Sequence, residues 1–393
     1  MGYTRHKNEY HSTAREIMTD FAGLTGLSSA GSIPRRYLWT DAFAVCNFLE
    51  LYRHTSDEKH LSLRLVDQVH SILGRHREDD PRTGWISGLD DHEGKMHPTK
   101  GGLRIGKDMN ERKPTDPFDE ALEWDRDGQY YHYLTKWMHA LNRVSRVTGD
   151  STYNTWAIEL AKTAHAGFTY VPSPGGQKSM YWKMSIDLSY PLVPSMGHHD
   201  PLDGFITYNQ LQATSAKDIG KSTWPDLSAE ITDMANVCEG KSWGTDDPLG
   251  IGGLLSDAFK VAQLIISHNF QQTDLLEILL DSSLEGLESY GRKSPLKLPA
   301  DYRLAFRELG LSIGLRAVEK LQGLIKQKPG LFNKKHPLHS RIESLMRYAQ
   351  LGEEIEMFWL EHTNREAQSW TEHRDINMVM LATSLAPDGY LTL

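Results

Sequence analysis

Apolar residues recur every three or four positions along most of this chain, and the strict alternation of a half-buried strand is rare. The spacing predicts a first helix from about Ser12 to Leu24. A second, about Asp41–Arg53, is apolar nearly all round (Phe43, Val45, Cys46, Phe48, Leu49, Leu51), as a helix buried on every side must be. A third, about Asp57–Leu73, carries Leu61, Leu65, Val69 and Ile72 on one face and stops at Gly74. Further helices are expected near Gly128–Val147, Ser151–Phe168, Leu202–Thr214, Leu227–Cys238, Leu249–Ser267, Asp274–Tyr290, Leu304–Lys326, His339–Leu360 and Ile376–Leu385. Gly310 and Gly314 lie in one of these and allow another backbone to approach closely. Ser179–Leu188 is the best strand, expected in a short hairpin at a loop end. Arg75–Phe118 is rich in Gly, Pro and charge, too long for a passive connection, and reads as a functional loop.

The helices alternate between buried and amphipathic, and the joint between them repeats. Arg53-His54-Thr55-Ser56-Asp57 and Arg146-Val147-Thr148-Gly149-Asp150 occupy equivalent places. This is an internal αα-hairpin repeat. Six buried helices, with the last returning to the first, predict an all-α (α/α)6 toroid forming a single domain over residues 1–393, with its long mouth loop at about 75–118.

Composition narrows the function classes. Hydrophobic residues make up 39% of the 393 and charged residues 24%, an ordinary globular balance. A net charge of −9 without a basic block argues against nucleic acid or an anionic membrane as partner. Cys46 and Cys238 are far apart and read as free thiols in a reducing compartment. Met1–Tyr10 has charges and no apolar run, and Ile251–Ile266 is short for a span and contains Asp257 and Lys260, so the expectation is a cytoplasmic protein.

Candidate chemistry concentrates in Trp124-Asp125-Arg126-Asp127-Gly128-Gln129-Tyr130-Tyr131-His132-Tyr133. Carboxylates beside aromatic faces suit sugars: the acids handle protons and the rings cover a pyranose. An Asp stands near the start of every expected inner helix (Asp41, Asp127, Asp203, Asp247, Asp301, Asp375), and helix capping accounts for most of them. Asp127 is singled out by its company: Asp125, Gln129, Tyr130 and His132. Asp203, which follows His198-His199-Asp200-Pro201, is its expected partner as acid or base. Trp39 and Asp41 are assigned to the binding surface, Trp85 and Trp124 to sugar platforms, and Arg104 and Lys107 to an anionic group such as a uronate or phosphate. Trp137 and Trp156 have core spacing.

Sharper motifs fail. Gly101–Asp108 fits G-x-x-x-x-G-K, but Asp108 stands where Ser or Thr holds magnesium. A calcium loop from Asp125 has Lys136 at its twelfth position. His198-His199 lacks the spacing of a metal site, so neither metal nor cofactor is expected.

Trp39-Thr40-Asp41-Ala42-Phe43 with Leu51-Tyr52-Arg53-His54-Thr55-Ser56-Asp57-Glu58 resembles the first hairpin of the six-hairpin (α/α)6-toroid enzymes, and about Trp124–Phe168 extends the likeness. That superfamily includes unsaturated glucuronyl hydrolases and the N-acylglucosamine and cellobiose 2-epimerases. Trp124-Asp125-Arg126-Asp127-Gly128-Gln129-Tyr130 approaches the hydrolases' Trp-x-Arg-Gly-Gln-x-Trp, with one extra residue and Tyr for Trp. The resemblance implies a small-molecule carbohydrate substrate at the ring mouth. Its main implication here is glycoside hydrolysis by carboxylate acid/base catalysis. The alternative is a sugar 2-epimerase or isomerase using His373, just before the last helix beside Arg374, with His198 or His199. Leu249-Gly250-Ile251-Gly252-Gly253 lacks the epimerases' histidine and glutamate. A non-catalytic toroid that binds or scaffolds is the third reading.

Overall fold

A computed structural model describes residues 2–28, 33–51, 56–215, 226–293, 295–328 and 337–393, with side chains from residue 9 in the first helix and from residue 60 in the third. The chain is all-α. Its longer helices are α1 (Gly2–Leu24), α2 (Leu38–Leu51), α3 (Ser56–Leu73), α4 (Tyr131–Thr148), α5 (Thr152–Phe168), α6 (Asp200–Ser215), α7 (Ser228–Cys238), α8 (Pro248–His268), α9 (Thr273–Lys293), α10 (Ala305–Gln327), α11 (Pro337–Met346), α12 (Ala349–Leu360) and α13 (Arg374–Leu385). The expected long helix at His339–Leu360 is broken by a turn at Arg347–Tyr348, and Gly352 then lets α12 lie against Ser312 and Leu315 of α10. Of the two repeated joints, the residues before Ser56 in the first lie outside the described residues.

Two compact units are distinguished in the chain. A middle unit spans Ala22–Gly240, and a terminal unit joins Met1–Phe21 to Lys241–Leu393. In the middle unit α2, α4 and α6 pack in succession, and α3, α5 and α7 each cover one of them as the second arm of a hairpin. α2 is buried at every position except Glu50, as its all-round apolar pattern requires. Gly149 ends α4 in the left-handed conformation (φ 76°), which a residue without Cβ adopts cheaply.

In the terminal unit α8, α10 and α13 are central. Gly252, Gly310 and Gly314 bring the α8 and α10 backbones into direct contact: a Cβ on Gly252 would collide with the Gly310 carbonyl. α8 is the one described helix long and apolar enough to cross a membrane, and it is mostly buried. Glu308 anchors this unit. Its carboxylate receives Arg303 through two nitrogens (2.7 and 2.9 Å) and the Trp359 indole N–H (2.9 Å).

The expected hairpin at Ser179–Leu188 is instead divided between two small sheets. β3 (Ser179–Met180) pairs antiparallel with β2 (Thr169–Tyr170), and β4 (Lys183–Met184) lies between β1 (Gln129–Tyr130) and β5 (Pro191–Val193). In the β1–β4 register, Gln129 faces Met184 and Tyr130 faces Lys183. β1 runs directly into α4, so this small sheet aims the first turn of the helix.

Candidate active site

A cluster of buried polar groups without partners among the described residues lies in the middle unit, where α2, α4 and α6 begin. Trp39 comes from α2. Tyr130, His132, Tyr133 and Lys136 come from β1 and the first turns of α4, and Asp200 and Asp203 from the first turn of α6. His132 and Lys136 are four residues apart, and Asp200 and Asp203 three, so each pair shares a helix face. Lys136 Nζ bonds Asp203 Oδ2 at 2.9 Å, locking α4 to α6. His132 Nδ1 stands 3.7 Å from Asp200 Oδ1, too far for a hydrogen bond.

Three buried polar atoms of this cluster have no hydrogen-bond partner among the described residues: Trp39 Nε1, His132 Nδ1 and Asp200 Oδ2. A buried orphan costs about 1–3 kcal/mol, so three together mark a place built to receive something polar. Aromatic rings enclose them. Trp39 lies 5.9 Å from the His132 ring, Tyr130 at 5.3 Å and Tyr133 at 4.8 Å, and Trp182 lies parallel to the imidazole at 6.3 Å. Tyr37 joins through its hydroxyl, 2.7 Å from that of Tyr133, and burial pushes its phenol up to about 12.

The electrostatics favour neutral forms. Burial, assisted by the Lys136 ammonium, pushes the His132 imidazolium down to about 3. Burial and the neighbouring Asp203 charge raise Asp200 well above the usual carboxylate range, although Lys136 opposes them. The 3.7 Å approach therefore sets an imidazole held uncharged at neutral pH against a carboxyl whose ionisation burial disfavours, while Lys136 and Asp203 form an ion pair.

The expected catalytic Asp127 occupies a different environment. It neither caps α4, which begins at Tyr131, nor faces solvent. Its Oδ2 accepts from Arg104 (2.6 Å) and Arg77 (3.3 Å), and its Oδ1 from the backbone N–H groups of Gly106 and Gly128 (3.0 Å each). All four contacts are donors to a charged carboxylate, which leaves no oxygen for substrate. Asp127 thus pins the long loop to β1.

Arg104, expected to hold an anion, spends its other nitrogens on the carbonyls of Arg75 and Ile72. Gln129 is buried and joins Leu103 N–H to the carbonyls of Gly101 and Ile186. Gly102 (φ 77°) and Gly106 (φ 93°) serve close packing, since side chains there would collide with Gln129 and with the Arg36 carbonyl. Trp85 is buried beneath the Arg75 guanidinium, 4.5 Å away, in the interior of the loop.

Other expected residues are dispersed. Asp41 is buried, accepting from Arg36 (3.2 Å) and from Tyr37 N–H (2.9 Å), the bond that holds the entry to α2. Lys107 Nζ lies 5.6 Å from the Tyr37 ring, and burial lowers its ammonium. Asp125 is exposed, and Trp124 is half-exposed against Trp182. His198 and His199 pack on one another with centroids 4.6 Å apart. His373 and Arg374 belong to the terminal unit, where His373 lies 5.6 Å from the Phe306 ring and Arg374 is 3.8 Å from Asp375. Asp247 there pairs with Arg307 (3.0 Å), and Asp301 accepts from Gln368 N–H.

The cluster contains residues that the sequence reading did not assign: Asp200, Lys136, Tyr133 and Trp182. The signal was present as two spaced pairs, His132 with Lys136 and Asp200 with Asp203. It required starting α6 at Asp200, with Pro201 in the first turn where proline is tolerated.

No protein-family model matches the chain, and no curated protein matches it. Among solved structures, the chain is similar to a sugar epimerase from a ruminal bacterium, at 9% identity over 86% of each chain with a TM-score of 0.46.

Proposed function

We propose that the chain is a carbohydrate-active enzyme that moves a proton beside a sugar carbonyl, by epimerisation or aldose–ketose isomerisation. Three buried orphan atoms from three helices, enclosed by aromatic rings, carry this reading. A polyhydroxylated ring supplies both the hydroxyls that the orphans require and the apolar faces that the rings cover.

His132 Nδ1, uncharged, is the base. It takes the proton from the carbon next to the carbonyl of the open-chain sugar. The Asp200 carboxyl gives its proton to the carbonyl oxygen, and an enediol results. The pair thereby passes from two neutral groups to an imidazolium–carboxylate pair that stabilises itself, so the burial that keeps each group uncharged beforehand need not oppose the step. The imidazolium then returns the proton to the neighbouring carbon to give the isomer, or to the same carbon after the enediol has turned its other face toward His132 to give the epimer, and Asp200 recovers its proton from the enediol hydroxyl that becomes the carbonyl.

Glycoside hydrolysis remains a second reading on one observation. Asp200, whose carboxyl burial raises, and Asp203, paired with Lys136 at 2.9 Å, are two carboxyls in the contrasting environments that hydrolysis uses.

Reducing sugars and oligosaccharides incubated with the protein in D2O and followed by NMR test both. Proton transfer predicts deuterium at the carbon beside the carbonyl and a sugar isomer, with His132→Gln and Asp200→Asn each slowing turnover by about 10²-fold or more. New reducing ends without carbon-bound deuterium would transfer the assignment to hydrolysis. If no sugar in the panel is altered, the enzymatic reading is lost.

A further inference from the structure

The terminal unit contains a cavity of about 460 Å3 between α1, α10, α12 and the last turn of α13. That volume accommodates a small organic molecule. Every residue that lines it belongs to the terminal unit, so it is a different place from the site built on α2, α4 and α6. One side is apolar: Met357, 52% exposed, with Leu385 and Pro387. Tyr10 of α1 adds an aromatic face, its hydroxyl directed at the Met357 sulfur 4.0 Å away, a weak acceptor.

The other side is charged, and its cations are already engaged. Arg316 holds the fully buried Glu356 at 2.6 and 3.2 Å. Lys320 pairs with Asp388. Glu319 of α10 and Glu353 of α12 remain, at 3.3 and 3.8 Å from the same Arg316 Nη1, and share a charge that Glu356 has already matched. Four carboxylates therefore face two cations, and the cavity carries an excess of two negative charges. Tyr10 lies in that field: burial raises its phenol and the Glu356 and Glu353 charges raise it further, opposed by Arg316. An anion is repelled here, and a bare metal ion would leave the apolar side in water. A cation on a carbon stem satisfies both sides, covering Met357, Leu385 and Pro387 while its charge meets the carboxylates and the Tyr10 face.

We infer that this cavity is a binding site for a linear aliphatic diamine, its methylene stem on Met357, Leu385 and Pro387 and its two ammonium groups paired with Glu319 and Glu353. Because Glu319 and Glu353 flank one guanidinium nitrogen, a stem of about four carbons reaches both.

The test is calorimetric titration of the full chain with 1,4-diaminobutane, butylamine and 1,4-butanediol at one ionic strength, since salt screens partly exposed charges. The diamine is expected to bind about fivefold more tightly than butylamine, the order of one added ion pair, and the uncharged diol more weakly than either. Glu353→Gln should lower the diamine to the butylamine level. Adding Glu319→Gln should lower it to the level of the diol, with the circular-dichroism spectrum unchanged. Met357→Ser should weaken both amines alike, by about threefold, through the shared stem. Butylamine or the diol binding as tightly as the diamine overturns the inference. So does a diamine affinity that survives both glutamate substitutions, or the absence of saturable diamine binding at millimolar concentration.

Discussion

Replacing Asp127 by Asn separates a structural carboxylate from a catalytic one. The side chain is fully buried, and all four of its contacts are N–H donors: Arg104 at 2.6 Å, Arg77 at 3.3 Å, and the amides of Gly106 and Gly128 at 3.0 Å. An amide in its place retains one accepting oxygen and turns an NH2 toward donors, leaving two guanidinium groups without their shared counter-charge. Removing one partner from a buried ion pair costs about 3–5 kcal/mol. Arg104 keeps the Arg75 and Ile72 carbonyls and Arg77 keeps Asp79, so the lower end, about 3 kcal/mol, is expected. With an m-value of roughly 3 kcal/mol/M, the urea midpoint should fall by about 1 M. Turnover per folded molecule should stay within about threefold of the unaltered chain, because the carboxylate has no oxygen free for a substrate. The reasoning is refuted if the midpoint moves by less than about 0.2 M while turnover is abolished. That result would make Asp127 a chemical group.

Three further outcomes follow from the same geometry. His70 accepts the Trp137 indole N–H at 3.1 Å, and burial pushes its imidazolium down to about 3, against 6.5 in the open chain. The unfolded chain therefore gains the proton first, and stability should decline as pH falls below 6.5, by about 2 kcal/mol between pH 6.5 and 4.5. His70→Gln should flatten that slope in denaturation curves taken at several pH values; an unchanged slope would count against it. Asp200→Asn should slow turnover by about 10²-fold or more yet raise the urea midpoint at pH 7, because a carboxyl raised in the folded state contributes stability only at low pH and loses it as pH rises toward its native value. The gain should vanish near pH 4, and a loss at pH 7 would contradict the assignment. Gly106→Ala forces a Cβ onto the Arg36 carbonyl at φ 93° and should cost about 2 kcal/mol or more, read as a lower thermal midpoint. A change within about 0.5 kcal/mol would refute that packing role.

The sequence by itself determined the helices. Apolar periodicity located α2, α5 and α8–α10 to within a few residues, because the buried stripe of a helix is written at fixed spacing. Gly310 and Gly314 announced a close backbone approach, which α8 makes, and Gly74 the end of α3. The stretch Trp124–Tyr133 stands out in the sequence because one helix start calls for fewer rings, acids and imidazoles together.

Which of those residues face one another was decided only by tertiary structure. Asp127 and His132 are five residues apart, yet the β1–β4 pairing turns the chain between them. Asp127 is carried into a nest of guanidinium groups from the long loop, and His132 toward Asp200 from α6. No local spacing encodes that turn. Charge state was equally out of reach, because it depends on burial. Burial by three helices raises the Asp200 carboxyl and lowers the His132 imidazolium, because water is excluded from both.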